Sequence, residues 1–219
     1  MQTVRAPAVA GLFYPADAKE LHTQVWQFLN RVSPADEPPP KAIIVPHAGY
    51  IYSGSIAASA YARLGIARDV IHRVVLLGPS HRVSFQGIAV SGMATFSTPL
   101  GQVPVGQAAV ERVRKLPSVS VREQAHAQEH SLEVHLPFLQ EVLSEFKLVP
   151  LLVGDAEPQE VGAVLEALWG GPETLIVISS DLSHYQCYQA ARLLDSATSQ
   201  AIEALRFEDI GYELACGCN

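Results

Sequence analysis

Cysteine is scarce in this chain, and that scarcity limits the class of protein it can be. Three cysteines occur among 219 residues, and two of them, Cys216 and Cys218, stand close to the last residue. This count does not build a disulfide framework, and thiols in a reducing compartment more often serve as metal ligands, reactive groups or buried residues. We therefore expect a cytoplasmic protein with at least one free cysteine.

Clusters of basic residues are also missing. The 15 lysines and arginines are outnumbered by 22 aspartates and glutamates, which gives a net charge of -7. Proteins that bind nucleic acids or anionic membrane surfaces usually carry a concentrated basic patch. We therefore expect no nucleic-acid partner and no membrane partner.

Long apolar runs are absent as well. The apolar runs are well short of the roughly 18 residues that a membrane-spanning helix requires. Residues 1–5 lack the basic and then apolar order of a signal peptide. Both absences support the cytoplasmic prediction.

Several catalytic motifs are incomplete. The serines near residue 180 do not lie in a Gly-x-Ser-x-Gly sequence, which argues against a serine nucleophile. Residues 49–55 have the glycine spacing of a phosphate-binding loop but lack its lysine, and residues 129–135 do not form the His-Glu-x-x-His motif of zinc proteases. Nucleotide binding is therefore not predicted.

What is present is a large apolar fraction in an alternating pattern. Hydrophobic residues make up 48% of the chain, and short β-branched runs alternate with helical spacing, which is typical of parallel βαβ units. We predict one α/β domain over residues 1–219, with three α/β/α layers and a mixed, largely parallel central sheet. The spacing further predicts helices that begin near Asp17 and His130, a long helix over residues 189–205, and a loop over residues 96–101.

Three of the predicted strands end just before a histidine. These histidines are His47, His81 and His184, and the third is preceded by Asp181. In open α/β sheets, ligands bind in the crevice outside the carboxyl ends of the strands. We therefore expect these four side chains to line one site.

A pair of imidazoles suggests a metal. Two neutral histidines with one anionic ligand leave coordination positions where a substrate or dioxygen can bind. His47 and His81 are the predicted pair. The residues alone leave the anionic ligand open among four donors: Asp181, Glu129, Glu133 and a cysteine thiolate. A thiolate would favour Fe(II), Cu or Zn over Mg or Ca.

Other polar residues allow two interpretations. Asp181 is either a helix N-cap or the residue that holds His184 as a general acid or base, and both roles are compatible. The polar residues at positions 129–135 form either a solvated helix face or part of the site. We predict pocket-lining or supporting roles for four side chains: Tyr50, Glu129, His130 and His135.

Five separated motifs together resemble one known family. They are PHAGY at residues 46–50, GPSH at 78–81, EHSLEVHLP at 129–137, SDLSH at 180–184, and CG at 216–217. The pattern resembles the MEMO family (mediator of ErbB2-driven cell motility and its prokaryotic relatives). The similarity begins at residue 4 and covers nearly the whole chain.

This resemblance implies a fold and a ligand set. The family is similar in fold to the class III extradiol ring-cleaving dioxygenases. By that similarity His47 and His81 correspond to two metal ligands and Cys216 to the third, while Asp181 and His184 correspond to catalytic pocket residues. The dioxygenases have a glutamate as third ligand, so the cysteine departs from the ring-cleaving pattern. Family members usually continue beyond the CG motif, so we expect a chain shortened at its C-terminus, with a mobile third ligand and an incomplete site.

Three functions follow as expectations. The first is a non-haem metal protein with redox or dioxygenase-like chemistry, in which Fe(II) is the expected ion and Cu or Zn are alternatives. The second is a binding module for a peptide or a small anionic ligand without turnover. The third is a zinc hydrolase with His184 as base. The partner in each case is a small molecule or a peptide, and the sequence leaves the oligomeric state open.

Overall fold

Short strands and helices alternate along the chain. The computed structural model describes residues 3–33 and 37–211. Within these residues the strands are β1 (Val4–Arg5), β2 (Ala42–Val45), β3 (Arg73–Pro79), β4 (Ile88–Val90), β5 (Thr95–Thr98), β6 (Gly101–Pro104), β7 (Val119–Val121), β8 (Lys147–Val153) and β9 (Thr174–Ser179). The α-helices are α1 (Ala18–Leu29), α2 (Tyr50–Tyr61), α3 (Gln107–Val113), α4 (Glu123–Ala127), α5 (Leu136–Val142), α6 (Pro158–Leu168) and α7 (Tyr188–Glu203). Shorter 3₁₀ helices occupy Ala62–Ala67, Glu133–His135 and Phe207–Asp209.

Two compact units divide the chain. The first is Met1–Ser179, and the second is Ser180–Asn219. The described part of the second unit contains α7 and the last 3₁₀ helix. The prediction of one domain over residues 1–219 stays a prediction. In the part of the chain that the structure describes, no helix is both long and apolar enough to cross a membrane.

A mixed six-stranded sheet forms the centre of the first unit. Its strand order is β2-β9-β3-β8-β4-β7, and β4 is antiparallel to β8 while the other pairs are parallel. Helices cover both sides of the sheet. The interior residues of β3 and β8 are buried, as expected for strands with packing on both faces. The predicted α/β class with a mixed, largely parallel sheet is confirmed.

A close approach between α1 and α2 fixes one flank of this unit. Asp17 caps α1 by accepting a hydrogen bond from the Glu20 amide at 2.9 Å, as its sequence position predicts. On α2, a Cβ added at Gly54 would lie 2.5 Å from the ring of Phe28. Glycine is therefore required there because the ring of α1 occupies the space that a larger residue would fill. This packing positions the beginning of α2, which directly follows His47 and its loop.

The prediction of a loop over residues 96–101 is wrong. Residues Thr95–Thr98 form β5, which is the middle strand of a small sheet with the order β1-β5-β6. The strand was missed because its partner β1 has only two residues and gives almost no periodic signal. The segment after residue 130 also differs from prediction, since a 3₁₀ turn at Glu133–His135 precedes α5.

Candidate metal centre

The sheet topology brings His47 and His81 together. Each lies two residues beyond its strand, after Val45 in β2 and Pro79 in β3. These strands are separated by β9, so their axes are about 10 Å apart at the usual strand spacing. The two rings nevertheless have centroids only 5.2 Å apart, at an interplanar angle of 70°. Both side chains therefore lean towards each other across the end of β9.

Ser179, the last residue of β9, holds His47 in one tautomer. Its Oγ lies 2.6 Å from Nδ1 of His47 and 2.7 Å from the carbonyl oxygen of Ser131. The hydroxyl has one proton, and the carbonyl can only accept, so Ser179 donates to Ser131 and accepts from His47. Nδ1 of His47 is therefore protonated, and the lone pair is on Nε2.

Glu129 holds the proton on Nδ1 of His81. Its Oε1 lies 2.9 Å from Nδ1 of His81, and its Oε2 accepts a hydrogen bond from the His81 amide at 2.6 Å. Burial raises the pKa of Glu129, but the hydrogen bonds from the His81 ring and from the Ser131 and His81 amides outweigh it and lower the pKa to about 2. The ionised carboxylate can only accept, so His81 also keeps its proton on Nδ1 and its lone pair on Nε2.

A third histidine completes the cluster. His130 follows Glu129, and its ring centroid lies 5.6 Å from that of His47 and 4.6 Å from that of His81. Phe13 packs against the His130 ring with centroids 4.7 Å apart. The backbone of this turn is fixed by Ser131, whose Oγ donates to the carbonyl of Pro79 at 2.7 Å. The turn is thus tied directly to the end of β3.

The three rings together can hold a metal ion. One ring nitrogen from each of His47, His81 and His130 lies within 4.8 Å of the others. The cluster runs from the interior to the surface, because His47 is 1% exposed while the His81 side chain is 31% exposed. The tautomers of His47 and His81 are those that metal-ligating histidines adopt when a second residue holds Nδ1–H. The donor set therefore fits a metal with access from solvent.

Comparison with known proteins assigns the family. Residues 5–215 match the family described as Memo-like protein. The MEMO1 family protein of Aquifex aeolicus is 41% identical over 214 residues, which are 96% of this chain and 78% of the relative. This chain belongs to the MEMO family. The MEMO1 family proteins of Sulfolobus acidocaldarius and Ignicoccus hospitalis are 32% and 37% identical, over 94% and 84% of this chain and 79% and 70% of the relatives. The resemblance predicted from the five motifs is thereby confirmed.

In this MEMO family chain, the predicted catalytic pair lies in the second unit. Nε2 of His184 is 3.7 Å from Oδ2 of Asp181, and Nδ1 of His184 is 2.9 Å from the carbonyl oxygen of Leu182. The contact between His184 and Asp181 is an ion pair only when the imidazole is protonated. Their predicted catalytic role stays a prediction. Cys216, the predicted third ligand, lies outside the described residues.

Two of the predicted supporting residues are in the core. Tyr50 is buried and donates its hydroxyl proton to the carbonyl of Val134 at 2.7 Å, and burial raises its pKa. His135 is also buried, with Nδ1 2.8 Å from the hydroxyl oxygen of Tyr61. Burial lowers the pKa of His135 to about 3, so the ring is neutral at physiological pH. Their packing roles are clear, and a role at the site stays a prediction.

Glu133, one of the candidate anionic ligands, is already occupied. Its carboxylate accepts hydrogen bonds from the Arg5 guanidinium, from the amides of Ala8 and Val9 at 2.8 and 3.0 Å, and from the hydroxyl of Tyr14 at 2.5 Å. Arg5 also donates to the carbonyl oxygens of His126 and Glu129, at 3.0 and 2.6 Å. This network fastens the N-terminal segment to the turn that carries His130.

Sequence reasoning overlooked the supporting roles of Ser179 and Ser131. As a nucleophile Ser179 has no supporting motif, but it is the last residue of a strand that ends at the same edge as β2 and β3. That position is a signal for a supporting role, because β9 pairs in parallel with β2 and places Ser179 opposite Val45, two residues before His47. No comparable signal marked Ser131, because its contacts are made with backbone groups distant in sequence.

Proposed function

We propose that this MEMO family chain binds a metal ion through His47, His81 and a third donor, with Fe(II) as the expected ion and Cu or Zn as alternatives. The observation that supports the proposal is the convergence of three imidazole nitrogens within 4.8 Å. Two of these imidazoles have their tautomers set by Ser179 and Glu129. Imidazole is a suitable ligand for all three metals.

The third donor is either His130 or Cys216. His130 is already in the cluster, whereas Cys216 enters through the family resemblance. A thiolate would favour soft or borderline ions, and a third imidazole suits Zn, Cu and Fe alike. Single substitutions separate these possibilities: His130→Ala weakens binding if the imidazole is the ligand, and Cys216→Ser weakens it if the thiolate is.

The chemistry at this centre would combine the ion with a prepared protein environment. A bound redox-active ion would supply electron transfer or a binding position for dioxygen. The chain's own residues keep protons on the Nδ1 atoms of His47 and His81, exclude water from the His47 side and leave His81 open to solvent. We propose His184 as the acid or base and Asp181 as its partner, on the strength of the family resemblance.

Metal analysis tests the proposal. Protein prepared without oxygen and incubated with Fe(II) should hold about one ion per chain, because the part of the chain that the structure describes contains one such cluster. His47→Ala combined with His81→Ala should abolish the binding. His22→Ala combined with His72→Ala is the matched control, since both side chains are exposed and make contacts elsewhere, to Glu141 and to the Glu145 carbonyl. Full occupancy in the first double variant would refute the assignment.

The nitrogen-rich donor set also favours a second candidate, a zinc hydrolase. Three histidines with a bound water form one known arrangement of catalytic zinc, and that water would be the nucleophile. Zn-dependent ester hydrolysis that is lost in His184→Ala would support this candidate. Oxygen uptake by the Fe(II)-loaded protein with a catechol would support the dioxygenase-like candidate instead. If the protein binds metal but shows neither ester hydrolysis nor oxygen uptake, the result would support a cytoplasmic binding module for a small molecule or peptide.

A further inference from the structure

Glu129 has an unusual set of neighbours for a buried carboxylate. It is 1% exposed, and the hydrogen bonds that its carboxylate accepts come from N–H groups. Oε2 accepts from the His81 amide at 2.6 Å, while Oε1 accepts from Nδ1 of His81 and from the amides of His130 and Ser131 at 2.9, 2.9 and 3.0 Å. Nδ1 of His130 also lies 3.3 Å from Oε1. One carboxylate therefore contacts the side chain and backbone of His81 and the turn that carries His130.

A neutral side chain of the same shape cannot replace it. Glutamine has one accepting oxygen and one donating NH₂ group. If its oxygen takes the place of Oε1, the NH₂ group faces the His81 amide; if its oxygen takes the place of Oε2, the NH₂ group faces three donors. Either orientation leaves buried N–H groups unpaired, and each costs about 1–3 kcal/mol. Only an ionised carboxylate satisfies this arrangement.

We propose that Glu129 is the positioning residue of the metal centre, holding the proton on Nδ1 of His81 so that Nε2 is presented to the ion. The inference rests on the proposed metal-binding function and adds the group that governs affinity. A hydrogen-bonded carboxylate fixes the ring orientation and raises the basicity of the ligating nitrogen. Removal of such a partner typically weakens metal binding about 10- to 100-fold, although no ligand is lost.

A purely structural role makes a different prediction. If Glu129 only capped the turn at residues 129–131, its loss would leave the tautomer of His81 unchanged or disturb both histidines together. The positioning role predicts a selective change. His47 serves as the internal standard, since its Nδ1 proton is held by Ser179. Ser179 is linked to Glu129 through Ser131 in the turn, so a general disturbance of the turn would affect both histidines.

The first experiment uses the metal-free protein. Nitrogen NMR of the histidine rings at about pH 8, above the ordinary histidine pKa of about 6.5, distinguishes Nδ1–H from Nε2–H. We expect His81 and His47 both in the Nδ1–H form in the wild type. In Glu129→Gln, His81 should acquire a substantial Nε2–H population while His47 does not change. A wild-type His81 that is mainly Nε2–H would overturn the inference without need of any variant.

The second experiment measures affinity with Zn²⁺ in competition with a chromophoric chelator. Glu129→Gln should bind about 10- to 100-fold more weakly than the wild type. Glu123→Gln is the matched control, because the Glu123 carboxylate likewise accepts from a backbone amide, that of Gly92, and its second oxygen accepts from the Ser91 hydroxyl. It should bind as the wild type does. Circular dichroism and Tm show whether each variant is folded.

The two experiments separate the two proposals. If the wild type binds no metal but His81 changes tautomer in Glu129→Gln, the proposed function fails and the positioning contact stands. If the wild type binds Zn²⁺ and folded Glu129→Gln binds it equally well with an unchanged tautomer, the function stands and the positioning role is refuted.

Discussion

The buried pair of Arg5 and Glu133 provides the sharpest test of how the N-terminal segment supports the fold. The Arg5 side chain is 4% exposed, and that of Glu133 is fully buried. Arg5→Met would keep most of the apolar volume but leave the Glu133 carboxylate without its charge partner. It would also remove the donors to the carbonyl oxygens of His126 and Glu129. Removal of one member of a buried ion pair costs about 3–5 kcal/mol, and we expect a loss in that range.

Equilibrium urea unfolding, followed by circular dichroism, measures this loss as a fall in the midpoint at constant slope. Arg63→Met is the matched control, because Arg63 pairs with Glu37 on the exposed surface, where an ion pair is worth only about 0–1 kcal/mol. If Arg5→Met cost less than about 1 kcal/mol, the view that this pair fastens the N-terminal segment would be refuted. A change of slope instead would indicate that the segment detaches separately.

Further predictions concern pH and packing. Burial lowers the pKa of His126 to about 4, against the opposing hydrogen bond to the Ala89 carbonyl. As the pH falls, His126 therefore gains a proton in the unfolded chain before it does so in the folded protein. The free energy of unfolding should fall by about 3 kcal/mol as the pH drops from about 6.5 to about 4. Urea unfolding across that pH range should show a smaller loss of stability in His126→Gln than in the wild type. An equal loss in the two proteins would contradict the lowered pKa of His126. Gly78→Ala would place a Cβ 2.9 Å from Leu132 Cδ2 and 3.0 Å from Ser131 Oγ, so we expect a cost of about 1–3 kcal/mol and weaker Zn²⁺ binding. Gly162→Ala, in α6, where a Cβ meets no atom within 4 Å, should instead stabilise the protein by about 0.5–1 kcal/mol. Thermal unfolding of both variants checks this contrast, and equal effects would contradict the packing argument.

The sequence predicted the parts of the fold whose signals are local. The long strands β3 and β8 are apolar runs of the expected length, and α1 begins after the expected cap at Asp17. The small sheet was not predicted, since its pairing joins Val4 to Thr95 and depends on contacts between segments about 90 residues apart. The 3₁₀ turn before α5 was also missed, because the side chains of Glu129 and Glu133 bind backbone groups instead of following a helical face.

The candidate site shows the same limit. Histidines that follow the ends of parallel strands were recognisable from the strand pattern alone, and the structure places His47 and His81 in ring contact. The entry of His130 into the cluster could not be derived in that way, because it comes from an irregular turn. The orientation of that turn is set by Ser131 and by the guanidinium of Arg5. Such contacts leave no periodic pattern in the sequence.

These contacts also bear on how a metal would enter. Ser179 and Glu129 fix the tautomers of two histidines through contacts among the protein's own residues, and Arg5 holds the carbonyl of Glu129 at 2.6 Å. The cost of ordering these rings is therefore met by folding, and binding has only to displace solvent from the exposed His81 side. A site that is ordered in advance gains affinity because less conformational entropy is lost on binding. Metal should therefore stabilise the protein only by mass action, without a large gain of secondary structure, and a marked increase in helical circular dichroism on Zn²⁺ addition would contradict this view.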